Sequence, residues 1–153
     1  MLIIRSSPIH AAGCYTTASI RRGARVLEYT GPRLDKKEGD SRYEECHYTY
    51  LFGLQNSEQV IDGHGMAAFI NHSCDPNCET DEIRGRVWII AARHIAAGEE
   101  LTYDYNLYDG DMEAPCHCGA SNCRGSMYDP AVLAKQRRRA KTAAKSPRRP
   151  RAA

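Results

Sequence analysis

Three cysteines lie within eight residues of one another near the C-terminal end of the chain, in the stretch Cys116-His-Cys-Gly-Ala-Ser-Asn-Cys123. The stretch is polar and contains glycine, so these thiols are poor candidates for core packing and good candidates for zinc ligands. A structural zinc ion takes four ligands in a tetrahedron. Cys74 is the best candidate for the fourth ligand, with Cys78 and His117 as alternatives. A shared metal would join two segments that are distant in the sequence, which restricts the folds open to the chain.

Cys74 belongs to a segment without helix or strand periodicity, Phe69-Ile-Asn-His-Ser-Cys-Asp-Pro-Asn-Cys78. Polar side chains occupy every face of it, and Asp75-Pro76-Asn77 is a turn signature because proline fixes φ. Taken alone, the segment is typical of a loop rich in Asn and Asp. The zinc hypothesis gives it a central place in the fold.

The composition is that of a single soluble domain. The chain has 153 residues, of which 42% are hydrophobic and 26% charged, as in ordinary globular proteins. No apolar run approaches the roughly 20 residues that span a bilayer, and Met1–Ile4 is too short for a signal-peptide core. We therefore expect an intracellular protein, in which seven cysteines favour metal or free thiols over disulfides.

Charge is divided unevenly along the chain. Nine cations and no acids follow residue 129, whereas the other twelve cations face nineteen acids, which leaves residues 1–129 with a net charge of −7. An acidic body suits a basic ligand, and a basic tail suits nucleic acid or acidic surfaces. Residues 130–153 form this tail, which the composition predicts to be disordered. The part from 134 to 153 is either a solubilising extension or an arm that contacts DNA phosphates.

Short strands dominate the predicted secondary structure, which indicates a mainly β fold. The predicted strands are Leu2–Ile4, Ala24–Thr30, Tyr48–Leu54, one that begins at Val60-Ile61, Arg86–Ala92 and Glu99–Tyr105. One short helix is expected, from Leu34 to Cys46. Tyr103 and Tyr105 fall on the same face of the last strand, because side chains alternate with a period of two.

Three motifs together resemble a known family. They are Asn71-His-Ser-Cys74, Gly98-Glu-Glu-Leu-Thr-Tyr-Asp-Tyr105 and Cys116-x-Cys118-x4-Cys123. In order and spacing they resemble the SET domain with its post-SET cysteine motif, a family of S-adenosylmethionine-dependent protein lysine methyltransferases. Weaker likenesses lie at Ile9–Tyr15, Glu28–Gly31, Tyr50–Phe52 and Val60–Asp62. The resemblance implies a SET-domain fold of small curved β-sheets with a C-terminal pseudoknot over residues 1–113, and a zinc-bound post-SET segment over 114–129.

The resemblance also implies a site. Zinc would be bound by Cys74, Cys116, Cys118 and Cys123. The cofactor would contact Ala12, Gly13, Tyr15, Asn71, His72, Tyr105, His117 and Met127. Tyr105 corresponds to the family's essential tyrosine, and Tyr50 and Tyr103 to walls of the lysine channel. A hydroxyl at Tyr103 crowds the amine, so we expect mainly monomethylation.

Two positions depart from the family pattern. Ala11 replaces the first glycine of the turn near the cofactor, at little cost if its φ is negative, and Ala68 replaces an arginine. The function implied is methylation of a histone-like or DNA-associated basic protein in the cytoplasm or on the chromosome, with Lys141 or Lys145 of its own tail as further targets. The alternative is a catalytically weak, zinc-stabilised module that binds basic protein tails or nucleic acid.

Overall fold

The computed structural model describes residues 1–46, 49–55, 57–108 and 114–145. Within these residues the chain forms ten short strands, two α-helices and one 3-10 helix. In chain order they are β1 (Leu2–Ser6), β2 (Ala12–Thr16), β3 (Arg25–Tyr29), β4 (Arg33–Asp35), α1 (Lys36–Arg42), β5 (Leu51–Gly53), β6 (Gln59–Asp62), the 3-10 helix (Met66–Phe69), β7 (Asn71–His72), β8 (Cys78–Ile83), β9 (Arg86–Ala91), β10 (Thr102–Tyr103) and α2 (Pro130–Lys145).

The strands form four small sheets rather than one large one. β1 and β2 make an antiparallel hairpin, β4-β6-β5 and β3-β9-β8 are three-stranded, and β7 pairs with β10. The mainly β fold predicted from the sequence is confirmed. Alternation along β9 shows how the core is built: Val87 and Ile89 are 1% and 0% exposed, while Trp88 between them is only half-buried. The buried face of this sheet packs against Cys14, Ile70 and Leu101 in one core.

The polar central segment is buried because the C-terminal strand pairs with it. β10 lies parallel to β7, with Thr102 opposite Asn71 and Tyr103 opposite His72. Asn77, 3% exposed, then fixes the far end of the segment. Its amide donates to the carbonyl of Glu100 at 2.7 Å, and its side-chain oxygen accepts from the amide of Thr102 at 2.9 Å. Buried polar groups are tolerated here because each of these hydrogen bonds is made.

Several elements differ from the sequence-based predictions in length. The strand predicted over Glu99–Tyr105 is only Thr102–Tyr103, and the helix predicted over Leu34–Cys46 is Lys36–Arg42. The strand predicted from Tyr48 is observed as Leu51–Gly53, with Tyr48 outside the described residues. β8 was not predicted at all, because its acidic residues hide the pattern of a half-buried strand.

The C-terminal tail is helical where the sequence predicts disorder. α2 occupies Pro130–Lys145, so the expectation of a disordered tail is wrong for this part, while 146–153 lies outside the described residues. The prediction gave weight to charge and overlooked intrinsic propensity, since Ala, Leu, Lys, Arg and Gln are all strong helix formers. Proline at the first helical position is favourable. Asp129 caps the helix by accepting from the amide of Ala131 at 2.8 Å, as N-cap aspartates do.

No helix in the described part of the chain combines the length and the apolar character that a membrane span requires.

Candidate active site and cysteine cluster

Four cysteines from the two predicted segments meet in one cluster. The Sγ atoms of Cys74, Cys116, Cys118 and Cys123 all lie within 4.8 Å of one another. Cys74 Sγ lies 3.7 Å from Cys116 Sγ and 4.0 Å from Cys123 Sγ. Zinc–sulfur bonds of about 2.3 Å in a tetrahedron place the sulfurs about 3.8 Å apart. The spacing and the chemistry of this donor set therefore suit a structural zinc ion.

The two alternative ligands do not belong to the cluster. Cys78 is fully buried in the core, where burial raises the pKa of its thiol to about 12. His117 lies within the cysteine stretch, but its side chain is exposed and is not among the four grouped ligands. Of the three candidates for the fourth ligand, the geometry favours Cys74.

Backbone amides surround the sulfurs and stabilise negative charge on them. The amide of Cys74 lies 3.4 Å from Cys118 Sγ, and the amide of Gly125 lies 3.4 Å from Cys123 Sγ. Burial alone would raise the pKa of Cys118, but hydrogen bonds from the backbone of Cys74 and Ala120 outweigh it and lower the pKa to about 6. Burial raises the pKa of Cys74 and Cys116 in the same cluster, and a bound metal would favour the deprotonated form of all four thiols.

His72 connects the cysteine cluster to the tyrosine segment. Its ring is 3% exposed, and burial lowers its pKa to about 4, despite the opposing effect of the Asp104 carboxylate. The imidazole is therefore neutral. Nδ1 accepts a hydrogen bond from the amide of Tyr105 at 3.1 Å, so the ring proton is on Nε2, 3.5 Å from the sulfur of Cys74.

Tyr105 stands at the end of a wall of aromatic rings. Its hydroxyl donates to the carbonyl of Ile70 at 2.9 Å, and its ring centroid lies 4.9 Å from that of Tyr103. Phe52 lies 6.3 Å from Tyr103, and Tyr29 lies 5.2 Å from Phe52. Burial raises the pKa of Tyr105 and that of Tyr103 well above the ordinary value, so both phenols keep their protons at neutral pH.

Tyr50 lies at the rim of this wall. It is 42% exposed, and its carbonyl accepts a hydrogen bond from the Tyr29 hydroxyl at 2.7 Å. The three tyrosines singled out from the sequence therefore differ in environment, because Tyr103 and Tyr105 are buried and Tyr50 faces solvent. This decrease in solvent exposure from Tyr50 to Tyr103 is compatible with a channel that opens at Tyr50.

Glu100, which the sequence did not single out, organises the predicted cofactor residues. Its carboxylate accepts hydrogen bonds from Ser7 Oγ at 2.7 Å, from the Tyr15 hydroxyl at 2.9 Å and from Asn71 Nδ2 at 2.8 Å. A Cβ on Gly13 would collide with Glu100 Oε1, and because three hydrogen bonds hold that carboxylate in place, glycine is favoured there. The only sequence signal for Glu100 is its place in a recognisable motif, since its partners are far away in the chain.

Asn71 also fixes the turn of the first hairpin. Its Nδ2 donates to the carbonyl of Ala12 at 3.0 Å, so strand β7 and the Ala12-Gly13 backbone are held side by side. The structure thus brings together four of the predicted cofactor residues, Ala12, Gly13, Tyr15 and Asn71.

Ala11 lies in that turn with a φ of 35°. The expectation that alanine costs little there depended on a negative φ, and that condition is not met. A left-handed conformation is unfavourable for a residue with a Cβ. The other departure, Ala68, lies half-buried in the 3-10 helix.

The remaining predicted residue, Met127, follows the cysteine stretch, at the point where the chain returns to pair with residues 107 and 114. The backbone of half-buried Met127 donates to the carbonyl of Ala114 and accepts from the amide of Leu107. Close by, Arg124 binds Asp104 with two hydrogen bonds of 2.7 and 2.6 Å. This ion pair, which was not predicted, fastens the cysteine stretch beside Tyr105.

Comparison with known proteins agrees with this arrangement. The SET-domain family model matches residues 11–106. The chain belongs to the SET-domain family. Among similar proteins, "Histone-lysine N-methyltransferase, H3 lysine-4 specific" of Saccharomyces cerevisiae is 41% identical over 136 residues, which cover 78% of this chain and 12% of that protein. "Histone-lysine N-methyltransferase trithorax" of Drosophila virilis is 43% identical over 132 residues, which cover 77% of this chain and 3% of that protein.

A human relative extends the same likeness. "Histone-lysine N-methyltransferase 2D" of Homo sapiens is 39% identical over 131 residues, covering 77% of this chain and 2% of the relative. This SET-domain chain therefore spans 12% or less of the length of these three relatives. The family is assigned to the chain, whereas the names of the relatives describe much longer proteins.

Proposed function

We propose that this SET domain transfers a methyl group from S-adenosylmethionine to a lysine side chain of a basic, histone-like protein. One observation carries the proposal: the neutral hydroxyl of Tyr105 is held by the Ile70 carbonyl, at the junction of the aromatic wall with the segment that carries His72 and Cys74. A phenol fixed beside buried aromatic rings is suited to support methyl transfer to an amine.

The chain's own residues would prepare the amine and orient it. A lysine with its ordinary pKa of about 10.4 is charged at neutral pH and cannot attack. The buried rings of Tyr103 and Tyr105 exclude water, which favours the neutral amine. S-adenosylmethionine supplies the methyl group on a sulfonium. The lone pairs of the Tyr105 oxygen can accept weak C–H···O contacts, because its own proton is donated to Ile70.

The cofactor would be bound around the Glu100 carboxylate. Ala12 and Gly13 would contact the cofactor through their backbone groups. The side chains of Tyr15 and Asn71 are held next to them by hydrogen bonds to Glu100. His72 would contact the cofactor from strand β7. Tyr105, whose ring packs against that of His72, would contact it as well. His117 and Met127 of the post-SET segment would cover it from the other side.

Zinc would be held by Cys74, Cys116, Cys118 and Cys123, as the spacing of their sulfurs permits. With four protein thiolates it has no open position, so its part would be structural. It would attach the post-SET segment to β7, and so keep His117 and Met127 close to the candidate cofactor site.

The substrate class follows from charge and from the relatives. The net charge of −7 on residues 1–129 favours a basic peptide, and the relatives named above are histone-lysine methyltransferases. We propose a histone or a histone-like DNA-associated protein as substrate, and hence action on chromatin or a nucleoid. The chain's own Lys141 and Lys145 are further candidate targets. The hydroxyl of Tyr103 would limit the product mainly to monomethyl-lysine.

The test is transfer of labelled methyl from S-adenosylmethionine to mixed histones by the purified chain. We expect incorporation by the wild type, and a loss of about 100-fold or more for Tyr105→Phe, the loss typical when one transition-state interaction is removed. Tyr108→Phe is the matched control, because Tyr108 is 59% exposed. Equal activity of Tyr105→Phe and the wild type would contradict the assigned role.

A second candidate is a weakly catalytic module that binds basic tails. The positive φ of Ala11 favours it, because strain in the turn beside the candidate cofactor site can lower cofactor affinity. Binding of a basic peptide without any methyl incorporation, in protein that retains its metal, would support this module over the enzyme.

A further inference from the structure

Helix α2 presents an unusual concentration of positive charge. It has 16 residues, and four of its cations, Lys135, Arg137, Arg138 and Arg139, are all exposed. Two more, Lys141 and Lys145, follow within the same helix, and no acid occurs anywhere from residue 130 to the end of the chain. Like charges on one helix repel one another, and a bound polyanion would relieve that repulsion.

The cations of α2 lie away from its half-buried residues, and the four exposed ones spread over about 200° of the helix circumference. The half-buried residues Val132, Leu133 and Gln136 fall within an arc of about 100° when successive residues advance by about 100°. Lys135, Arg137, Arg138 and Arg139 all fall outside that arc. We call these four residues the basic face. The half-buried side of the helix contains Val132, Leu133 and Gln136, and the basic face is exposed.

The base of the helix is fastened to the SET domain. Tyr128, just before the helix, is 5% exposed. The amide of Asp129 donates to the carbonyl of Leu107 at 2.9 Å, and Arg124 Nε donates to the carbonyl of Tyr128 at 3.2 Å. The basic face therefore begins at a fixed point of the body, which lowers the entropic cost of presenting it to a partner.

We propose that the basic face of α2 binds the phosphate backbone of duplex DNA. Arginine and lysine side chains on a regular helix match phosphates, which carry the dominant attraction in such contacts. A helix of this length is about 24 Å long and fits the major groove of B-form DNA. Duplex RNA has a deep and narrow major groove that excludes such a helix, so DNA is the better match.

The first experiment measures binding of the full chain to a short DNA duplex by fluorescence anisotropy, as salt is raised from about 50 mM to about 200 mM. The variant replaces all four residues of the basic face, Lys135→Gln, Arg137→Gln, Arg138→Gln and Arg139→Gln, which keeps helix propensity. We expect it to bind at least about tenfold more weakly at the lower salt concentration. The slope of log K against log salt should fall by about 0.9 for each phosphate that the variant no longer neutralises.

A charge-matched control distinguishes DNA binding by the basic face from attraction that depends only on the net charge of the chain. Arg21→Gln, Arg22→Gln, Lys37→Gln and Arg84→Gln remove four cations from other elements. This control should keep most of the affinity and most of the salt slope. If it loses as much affinity as the basic-face variant, or if neither loses any, the proposal is overturned.

The helical form of the surface is tested separately. Ala134→Pro interrupts the helix without altering charge, so DNA affinity should fall if the helical face is what binds. Unchanged affinity would mean that a flexible basic arm suffices, which contradicts the proposal. Competition adds a further criterion: duplex RNA or polyglutamate that competes as well as DNA would assign the face to RNA or to an acidic protein instead.

Discussion

The Asn71 amide donates a 2.8 Å hydrogen bond to the Glu100 carboxylate, and this contact joins strand β7 to the segment that precedes β10. Ser7 and Tyr15 donate to the same carboxylate. Parts of the chain separated by 93, 85 and 29 residues thus meet at one acid. The candidate cofactor site is built on this convergence, because the backbone of Ala12 and Gly13 lies directly over it.

Glu100→Gln should destabilise the fold. A glutamine offers one oxygen where the carboxylate offers two, so donors of Ser7, Tyr15 or Asn71 would lose their acceptor. Each buried donor left unsatisfied costs about 1–3 kcal/mol, and we expect a loss in that range from urea unfolding. Glu45→Gln is the matched control, since Glu45 is exposed at the surface and exposed charges contribute less than about 1 kcal/mol. Equal losses for the two variants would show that Glu100 has no special part.

Ala11→Gly should stabilise the chain. The φ of 35° at Ala11 costs about 1–2 kcal/mol for a residue with a Cβ, and glycine removes that cost. Glycine also loses about 0.5–1 kcal/mol more entropy on folding than alanine, so the expected net gain is between about 0 and 1.5 kcal/mol. Thermal unfolding measures it, with Ala18→Gly as a control that should only lose stability. A lower melting temperature for Ala11→Gly would contradict the conformation.

Asp62 should make stability depend on pH in the acid range. Its carboxylate accepts from the Tyr43 hydroxyl at 2.6 Å and from Arg42 at 2.8 Å, and these contacts, the first above all, hold its pKa below the ordinary value of 3.8 despite burial. A lowered pKa in the folded state means that the stabilisation is complete above pH 3.8 and is lost as the pH falls through the lower, folded value.

The stability difference between the wild type and Asp62→Asn should therefore be largest near neutral pH and shrink below about pH 4. Urea unfolding across that range measures it. A difference that stays constant down to the acid limit would mean that the carboxylate is not stabilised by Tyr43 and Arg42 in the way its contacts indicate.

The sequence allowed the cysteine cluster to be predicted, but not the hydrogen bonds that converge on the Glu100 carboxylate. Few residue types bind zinc, and three of the four thiols are close together in the chain, so few candidates remained for the fourth ligand. Glu100 is one of nineteen acids, and its partners become neighbours only in the folded chain. Local sequence carries no signal for such long-range contacts beyond the motif that contains the residue.

Strand β8 and helix α2 were missed for related reasons. β8 carries Glu79 and Asp81 on its exposed side, which resembles a polar loop until the strand pairs with β9. The charge of the tail predicts disorder, although its alanines and long side chains favour helix. In β8, pairing with β9 outweighs the acidic residues that predict a loop. In α2, helix propensity outweighs the charge that predicts disorder.

Zinc content should depend on Cys74 although that residue is distant from the other three thiols in sequence. We expect about one zinc ion per chain in metal analysis, as one tetrahedral site requires, and a clear loss of zinc for Cys74→Ser. Cys46→Ser is the matched control, because Cys46 is exposed and outside the cluster. Chelation should lower the melting temperature of the wild type, because metal binding contributes to folding. Full zinc content in Cys74→Ser would place the fourth ligand elsewhere.

The product of the proposed reaction should respond to Tyr103. Its ring packs between Phe52 and Tyr105, with centroid distances of 6.3 and 4.9 Å, and it is 7% exposed. Removing the hydroxyl in Tyr103→Phe enlarges the space for an amine that already carries a methyl group. Mass spectrometry of methylated histone should show a higher ratio of dimethyl to monomethyl lysine than for the wild type. Tyr108→Phe, at the exposed position, should leave the ratio unchanged, and an unchanged ratio for Tyr103→Phe would mean that this hydroxyl does not limit the product.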